Sequence, residues 1–389
     1  MQAWDFVIVG GGMAGTSVAW QLAQSGGANP PSVLVLERES QPGYHTTGRS
    51  AALYDEQYGS EQIKALTRAS RALMEQPPAS FAQAPLLTPR GVLYVARADQ
   101  KTELDQAFAL AQRHTPHLQR LGAAELKAMV PCLNTDILVD GFLDPSAADI
   151  DVHGLHQGFI RGLRQRGGQL WTHAEVTTLE RSNELWTITL ADGRQVQTGT
   201  VVNAAGAWAD VLGALTGAAP IGLIPKRRSA FTFAPPEGMD TARWPMVVGI
   251  AEDFYFKPDA GQLLGSPANA DPVPPQDVAP EELDIATGIY HIEENTTLSI
   301  RRPSHTWAGL RSFVADGDLV IGWDASPQPV PGLFWVAAQG GYGIQSAAGY
   351  SLLARHLLLN EALSPALADQ GVNAQTLSPR RCQQNTSAQ

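Results

Sequence analysis

Residues 10–15 read GGGMAG and fit the spacing GxGxxG, with Glu37 following about 20 residues later. In such a motif Gly10 permits a tight turn, Gly12 lets the backbone approach a pyrophosphate, and Gly15 lets a helix pack closely on a strand. An acid at position 37 can accept a hydrogen bond from a ribose 2′-hydroxyl and disfavours the 2′-phosphate of NADP. The spacing therefore predicts a site for an unphosphorylated dinucleotide.

The sequence around this motif predicts the elements that such a site needs. Apolar residues 6–9 end at the glycines, residues 13–24 have helical spacing, and apolar residues 33–36 follow. The N-terminus of a helix offers unpaired N–H groups and partial positive charge, which suit a diphosphate. We therefore expect a Rossmann-type unit that binds NAD or FAD.

The segment after Glu37 distinguishes the two cofactors. Residues 38–52 run through small and hydroxyl side chains and resemble the flavin-cradling stretch of the D-amino-acid oxidase superfamily of FAD-dependent oxidoreductases. More specifically, the chain resembles bacterial D-arginine dehydrogenase and its amino-acid dehydrogenase relatives. The other similar blocks are residues 147–151, 202–208, 225–231, 265–271, 306–313 and 337–345.

The resemblance implies an α/β fold with two parts. One is a Rossmann-type FAD-binding domain of the glutathione-reductase type, which we expect in residues 1–80, 145–215 and 318–375. The other is a substrate domain on a mixed, mainly antiparallel sheet, in residues 81–144 and 216–317. Residues 376–389 are polar and are predicted to be a frayed tail.

Several local patterns predict further elements. Asp192-Gly193 indicates a hairpin turn between strands at 185–190 and 195–202. Further strands are expected at 229–233, 254–257 and 298–301, and loops at 270–282 and 327–332. A strand at 334–337, broken by Gly340-Gly341, precedes a predicted helix at 344–358. The resemblance places the start of that helix at the flavin, where its dipole would stabilise negative charge developing on reduction.

The resemblance implies that FAD is bound non-covalently, because Cys132 and Cys382 do not occupy the family position for a covalent flavin bond. These two cysteines are distant in sequence and lie in no CxxC motif, so neither a disulfide framework nor a zinc site is expected. The expected FAD contacts are Gly10, Gly12, Met13, Ala14, Gly15, Glu37, Arg38, Thr46, Thr47, Gly48, Arg49, Ser50, Ala51, Ala52, Val176, Ala205, Gly206, Trp208, Gly309, Gly340, Gly341, Tyr342, Gly343, Ile344 and Gln345.

An amino-acid oxidoreductase must bind a carboxylate, and the planar guanidinium of arginine does so bidentately. The resemblance assigns this role to Arg228 and Arg311, and it adds hydroxyl groups from Tyr58 and Tyr255. Arg227 is the expected surface neighbour. Residues 50–59 are either a lid that brings Tyr58 over the substrate or a static surface loop. The expected substrate pocket is formed by Leu53, Val92, Gly341, Tyr342 and Gln345.

Two residues depart from the D-arginine dehydrogenase pattern. Val92 stands where that family has a glutamate that binds the substrate guanidinium, and Leu53 stands where it has a histidine near the reacting amine. A cation buried without a counter-ion is costly. The sequence therefore predicts a preference for neutral and apolar D-amino acids. The alternative is that Val92 points into the core and the alignment has slipped by a residue.

The resemblance implies oxidative deamination of D-amino acids to 2-oxo acids and ammonia through an imino acid, with hydride transfer from Cα to flavin N5. No side chain stands out as a general base, so proton loss to solvent or a bound water is the working assumption. The electron acceptor is expected to be a quinone or another acceptor, with oxidase activity left open. Alternatives are a glycine, sarcosine or D-proline type amine oxidoreductase, and an FAD-bearing electron-transfer subunit of a complex.

Composition limits the partners. The formal net charge of −11 disfavours nucleic acid and anionic lipid. No apolar run is long enough to span a bilayer, and no basic and apolar leader precedes the first predicted strand. We therefore expect a cytoplasmic protein that is a monomer or weak homo-oligomer and binds a small-molecule D-amino acid.

Overall fold

Two large sheets dominate the fold of this chain, seen in a computed structural model that describes residues 2–113, 115 and 117–384. The strands are β1 (Gln2–Val9), β2 (Val33–Leu36), β3 (Leu53–Tyr54), β4 (Leu87–Pro89), β5 (Val92–Arg97), β6 (Gln119–Gly122), β7 (Leu138–Asp144), β8 (Ala148–Ile150), β9 (Gln169–Trp171), β10 (Val176–Ser182), β11 (Leu185–Leu190), β12 (Gln195–Asn203), β13 (Ile224–Phe233), β14 (Met246–Gly249), β15 (Tyr255–Asp259), β16 (Gln262–Ser266), β17 (Asp271–Pro272), β18 (His305–Phe313), β19 (Val320–Trp323) and β20 (Leu333–Ala337). The helices are α1 (Met13–Ala23), α2 (Glu61–Glu75), α3 (Lys101–Ala111), α4 (Ala123–Met129), α5 (Val152–Gln165), α6 (Ala209–Leu215), α7 (Glu282–Asn295), α8 (Ala347–Leu358), α9 (Pro365–Ala368) and α10 (Arg380–Gln384).

The first sheet carries the predicted dinucleotide unit. Its central strand β1 pairs in parallel with β2 and β12, and β20 adds in parallel to β12. β10, β11 and β12 pair antiparallel, and β19 pairs antiparallel with β20. The predicted turn at Asp192-Gly193 is confirmed between β11 and β12. Val7 and Ile8 are fully buried because residues of α1, α5 and α8 pack on one face of β1 and a second apolar cluster covers the other.

The second sheet is mainly antiparallel, in the order β17-β13-β16-β15-β14-β5-β7-β6, with β18 paired to β13. The pairing of β14 with β5 is parallel. Phe231, Val247 and Phe256 form the centre of its core, where α4 and α7 contribute further apolar residues. A small third sheet joins β3, β8 and β4.

The strands of the two large sheets fall into separate parts of the sequence. Those of the first sheet lie within 1–80, 145–215 and 318–375, and those of the second lie within 81–144 and 216–317. The division into an FAD-binding and a substrate domain stays a proposal, and this placement supports it. Among the described residues no helix combines the length and apolarity needed to cross a bilayer.

Two local predictions were wrong, and one predicted helix is present but begins later than expected. Residues 298–301 form no strand, because Leu298 and Ile300 pack into the core as an irregular connection after α7, with the Ile300 N–H donating to Glu293 Oε1 at 2.5 Å. The helix expected from 344 begins at Ala347, after a tight turn. The tail predicted to be frayed is packed against the rest of the chain in its described part, residues 376–384. Leu377 is buried, and Arg381 pairs with Asp316 at 2.7 Å. Residues 385–389 of the predicted tail lie outside the described residues.

Candidate active site

The glycine turn between β1 and α1 has the geometry that its spacing predicts. Gly10 adopts φ +116°, and a side chain there would collide with the carbonyl oxygen of Ala204. The N–H of Gly11 donates to a carboxylate oxygen of Glu37 at 2.8 Å, and Glu37 is 8% exposed. This bond fixes the predicted ribose-binding acid beside the first turn of α1.

A cavity of about 410 Å³ runs from this turn to the second sheet. Arg38 lies on the face of Trp208, with 4.0 Å between the guanidinium carbon and the ring centroid, and both form its outer wall. The predicted cofactor contacts that line it are Gly10, Gly12, Met13, Ala14, Glu37, Arg38, Thr46, Thr47, Arg49, Ser50, Ala51, Ala52, Val176, Ala205, Gly206, Trp208, Gly309, Gly340, Gly341, Gly343, Ile344 and Gln345.

Three residues predicted to contact FAD do not line the cavity, but they pack against or support residues near it. Gly15 lies against the carbonyl of Gly10, where a side chain would not fit. The N–H of Gly48 donates to the carbonyl of Gly43 and closes a turn. The ring of Tyr342 packs on that of Tyr58, with centroids 4.8 Å apart.

The segment that precedes β3 is tied to the second sheet and so joins both ends of the cavity. Thr46 Oγ1 donates to the carbonyl of Leu310 at 2.7 Å, and Trp307 Nε1 donates to the carbonyl of Arg49 at 3.1 Å. Thr47 Oγ1 accepts the N–H of Met13 at 2.9 Å. One short segment therefore contacts the glycine turn and the strand that carries Arg311.

These walls fit a flavin dinucleotide. The first turn of α1 has N–H groups that lack intrahelical partners by geometry, and it faces the cavity at Gly12, Met13 and Ala14. The glycine cradle leaves room for a backbone approach to a diphosphate. Gly340 and Gly341 also line the cavity.

The register of β13 and β18 brings the two predicted carboxylate-binding arginines together. Lys226 is opposite Arg311 in this antiparallel pair, and Arg228 is opposite Gly309. Residues two apart on a strand share a face, so Arg228 and Arg311 project to the same side and both line the cavity. Burial lowers the pKa of Arg228, and the neighbouring charge of Arg311 lowers it further.

Neither arginine has an acidic partner among the described residues. Arg228 Nε donates to the carbonyl of Asn269 at 2.6 Å, and an Nη atom of Arg311 donates to the hydroxyl of Tyr58. Arg311 Nε is buried without a hydrogen-bond partner. Burial alone would lower the pKa of Arg311, but nearby Tyr58 and Tyr255 raise it. Two cations on one cavity wall, with no acidic partner among the described residues, are chemically suited to binding an anion.

The prediction for Arg227 was wrong. It is 7% exposed and lies on the opposite face of β13, where it pairs with Asp284 at 2.7 Å. Glu281 accepts a second hydrogen bond from it. The cause is the alternation of the strand, which sends Arg227 toward α7 while its neighbour Arg228 faces the cavity.

The other pocket residues form an apolar wall. Val92 is fully buried in β5 and packs in one cluster with Met246, Tyr255 and Leu53. Val92, Leu53 and Tyr255 all line the cavity. A side chain at Gly341 would overlap the guanidinium of Arg311, so this glycine leaves space for it.

The segment 50–59 is held at several points. Leu53 and Tyr54 pair with β8, and Tyr54 is fully buried. The side chain of Gln345 bonds the backbone of Asp55 in both directions, at 3.2 and 3.1 Å. Of the two alternatives for this segment, the contacts favour a static wall that carries Tyr58.

Sequence reasoning missed several of the residues that line the cavity. Tyr94 had a detectable signal, since it is two residues from Val92 on β5 and alternation gives both the same face. Nothing in the spacing marked Asp55 or Glu252. The missed lining residues include Asp55, Tyr94, Met246, Val248 and Glu252.

A family model described as FAD dependent oxidoreductase matches residues 5–357. The chain belongs to this family. FAD is its cofactor, and the glycine cradle described above fits this assignment.

Individual relatives of this FAD-dependent oxidoreductase are distant. L-2-hydroxyglutarate dehydrogenase of Salmonella houtenae is 29% identical over 60% of this chain and 54% of that protein. Mitochondrial dimethylglycine dehydrogenase of Rattus norvegicus is 26% identical over 89% of this chain and 42% of that protein. The chain thus spans about half the length of these relatives.

Solved structures show the same fold along nearly the entire chain. L-proline dehydrogenase from P. horikoshii superposes with a TM-score of 0.82 at 20% identity, covering 99% of each chain. Glycine oxidase from Geobacillus kaustophilus superposes with a TM-score of 0.81 at 19% identity, covering 98% of this chain and 99% of that one. At this identity the likeness concerns the fold of the oxidoreductase.

Proposed function

We propose that this FAD-dependent oxidoreductase catalyses the oxidative deamination of D-amino acids with neutral or apolar side chains, giving 2-oxo acids and ammonia through an imino acid. The observation that carries the proposal is the pair Arg228 and Arg311. These two cations have no acidic partner among the described residues, and they line the same cavity as the glycine turn. The resemblance to D-amino-acid dehydrogenases supports the choice of the D series.

When bound, FAD supplies the two-electron acceptor for this chemistry. The residues that would hold it are those of the glycine cradle with Glu37, the segment 46–52 and the turn 340–345. We propose that the association is non-covalent. Cys132 is buried in the core of the second sheet, and Cys382 packs on the outer cluster of the first. Neither cysteine lines the cavity.

The chain's own residues bind and orient the substrate. The guanidinium groups of Arg228 and Arg311 bind its carboxylate, and charge-assisted bonds of this type are about twice as strong as neutral ones. Tyr58 is fixed by Arg311, and Tyr255 is 9% exposed at the start of β15. These contacts hold one end of the substrate, so that its Cα–H is presented in one orientation.

The apolar wall supports the proposed specificity. Val92, Met246 and Leu53 offer no counter-ion for a cationic side chain. Glu252 lines the cavity but is itself exposed, so water and salt screen its charge. Apolar side chains therefore gain more than cationic ones from contact with this wall.

A second candidate is oxidation of a secondary or tertiary amine. Dimethylglycine dehydrogenase and sarcosine dehydrogenase of Homo sapiens are 26% and 24% identical to parts of this chain. Glycine derivatives of this kind also carry the carboxylate that the arginine pair binds.

A substrate panel tests the proposal. The purified holoenzyme is assayed with a redox dye and with O2 against D- and L-leucine, D-methionine, sarcosine, dimethylglycine and a 2-hydroxy acid. We expect turnover of the D-amino acids and a quinone-like dye as the better acceptor. Turnover confined to sarcosine or dimethylglycine supports the second candidate, and turnover confined to the hydroxy acid refutes both.

A further inference from the structure

The cavity contains a carboxylate that neither the sequence pattern nor the function proposed above uses. Asp55 is 4% exposed and lines the cavity directly after β3. It forms no ion pair with any cation of the described residues. A buried carboxylate without a cationic partner is costly to keep ionised, so its position needs an explanation beyond stability.

The position of Asp55 is fixed relative to the arginine pair. The N–H of Tyr58 donates to the carbonyl of Asp55 at 3.4 Å and closes a turn, and the hydroxyl of Tyr58 accepts from Arg311. One carboxylate oxygen of Asp55 accepts the N–H of Gln57 at 2.7 Å, and the other accepts the hydroxyl of Tyr94 at 2.8 Å. Gln345 holds its backbone from the other side. The cavity thus has a cationic wall and an anionic wall, and the turn from Asp55 to Tyr58 connects them through the contact of Tyr58 with Arg311.

The substrate of an amine oxidation has matching ends. Its carboxylate carries a negative charge and its ammonium group a positive charge on the adjacent carbon. The ammonium must lose a proton before oxidation, because only the neutral amine has the lone pair that the forming C=N bond requires. Leu53 cannot take this proton, and neither arginine can.

We propose that Asp55 binds the substrate ammonium and takes its proton, with Tyr94 as the positioning residue of that carboxylate. The proposal rests on the amine oxidation proposed above. In this step an N–H bond of the ammonium breaks and an O–H bond forms on Asp55. The electron pair stays on nitrogen, and the charges of both groups are neutralised.

The surroundings of Asp55 set the pH range in which it accepts a proton. Burial raises the pKa of Asp55 to about 6, and the negative charge of Asp144 contributes to this rise. The hydrogen bonds from Gln57 and Tyr94 and the positive charge of Lys64 act in the opposite direction and lower this pKa. Asp144, on β7, is fully buried and has one carboxylate oxygen without a partner. Glu252 acts on Tyr94 from the β14–β15 connection. Asp55 is therefore ionised and ready to accept at neutral pH.

The test is the pH profile of kcat/KM for D-leucine in wild type and in Asp55→Asn. The wild type should rise through an ascending limb near pH 6 and then level off. The variant should lose about 10²- to 10⁴-fold at neutral pH. Its remaining rate should climb about tenfold per pH unit and approach the wild type in alkali, where the substrate is already neutral.

Substitutions of two residues near Asp55 should move the ascending limb of the pH profile in opposite directions. Asp144→Asn removes a repelling charge, so the limb should shift to lower pH. Tyr94→Phe removes a hydrogen bond to the carboxylate, so the limb should shift to higher pH. Asp324→Asn is the matched control, because Asp324 is buried outside the cavity and bonds Trp335. It should leave the limb unmoved. FAD content and melting temperature confirm that each variant is folded.

An Asp55→Asn enzyme that keeps the wild-type profile overturns the proposal. So does one that loses activity only on D-lysine and D-arginine, since Asp55 would then bind a side-chain cation. The failure of the amine oxidation itself looks different. In that case no amine reduces the flavin of the wild type at any pH.

Discussion

Two adjacent arginines on β13 illustrate how far a single position determines a role. Arg228 faces the cavity beside Arg311, while Arg227 faces α7 and is paired with acids. Their side chains are chemically identical, and only the alternation of the strand separates them. We therefore assign function to arginines by the face they occupy and by whether an acid already neutralises them.

Replacing Arg311 tests its role as a carboxylate ligand. Arg311→Met should raise the apparent KM for D-leucine roughly 30- to 1000-fold, since one charge-assisted partner at a desolvated site contributes about 2–4 kcal/mol. FAD content should stay at the wild-type level. Arg301→Met is the matched control, because Arg301 is exposed and away from the cavity. An unchanged KM in Arg311→Met excludes Arg311 as a ligand.

Replacing Val92 tests the apolar wall. Val92→Glu should shift the ratio of kcat/KM toward D-arginine over D-leucine by about 5- to 150-fold, because an ion pair in a partly buried pocket contributes ~1–3 kcal/mol. Val92→Leu keeps the wall apolar and should keep the preference for D-leucine. If Val92→Glu instead lowers activity on all substrates together with the melting temperature, Val92 serves the core rather than the pocket.

Among the secondary-structure elements, those with a strong local pattern were predictable from the sequence. The strand at 33–36, the helix from Met13 and the turn at Asp192-Gly193 lie where the periodicity places them. The strand predicted at 298–301 was wrong because the alternating apolar side chains Leu298 and Ile300 pack into the core although this segment pairs with no strand. The position of Asp55 could not be predicted, since it depends on how β3, β5 and the turn before α8 meet in space.

The contact between β13 and α7 depends on the buried ion cluster of Arg227. Arg227→Met leaves Asp284, which is 8% exposed, without its cation, and Ser229 and Asn269 also bond this carboxylate. We expect the free energy of unfolding to fall by about 1–3 kcal/mol, seen as a melting temperature lower by a few degrees. Arg301→Met again serves as the control. A melting temperature equal to the control would show that the cluster adds no stability.

At the scale of the whole molecule, both large sheets contribute residues to the cavity that we propose holds FAD. The cysteines of the described residues lie in cores away from that cavity. Heat or acid should therefore release intact FAD into the supernatant, measured by chromatography of the soluble fraction. A flavin that precipitates with the polypeptide would contradict the non-covalent association that we propose.

Anaerobic reduction of the bound flavin by paired D- and L-amino acids tests the proposed function most directly. In the absence of oxygen and dye the visible flavin absorbance reports a single oxidation of substrate. We predict that D-leucine bleaches it, that L-leucine leaves it unchanged, and that Arg311→Met slows the bleaching at low substrate concentration. Flavin that stays oxidised with every D-amino acid, in a preparation with full FAD content, would contradict the account.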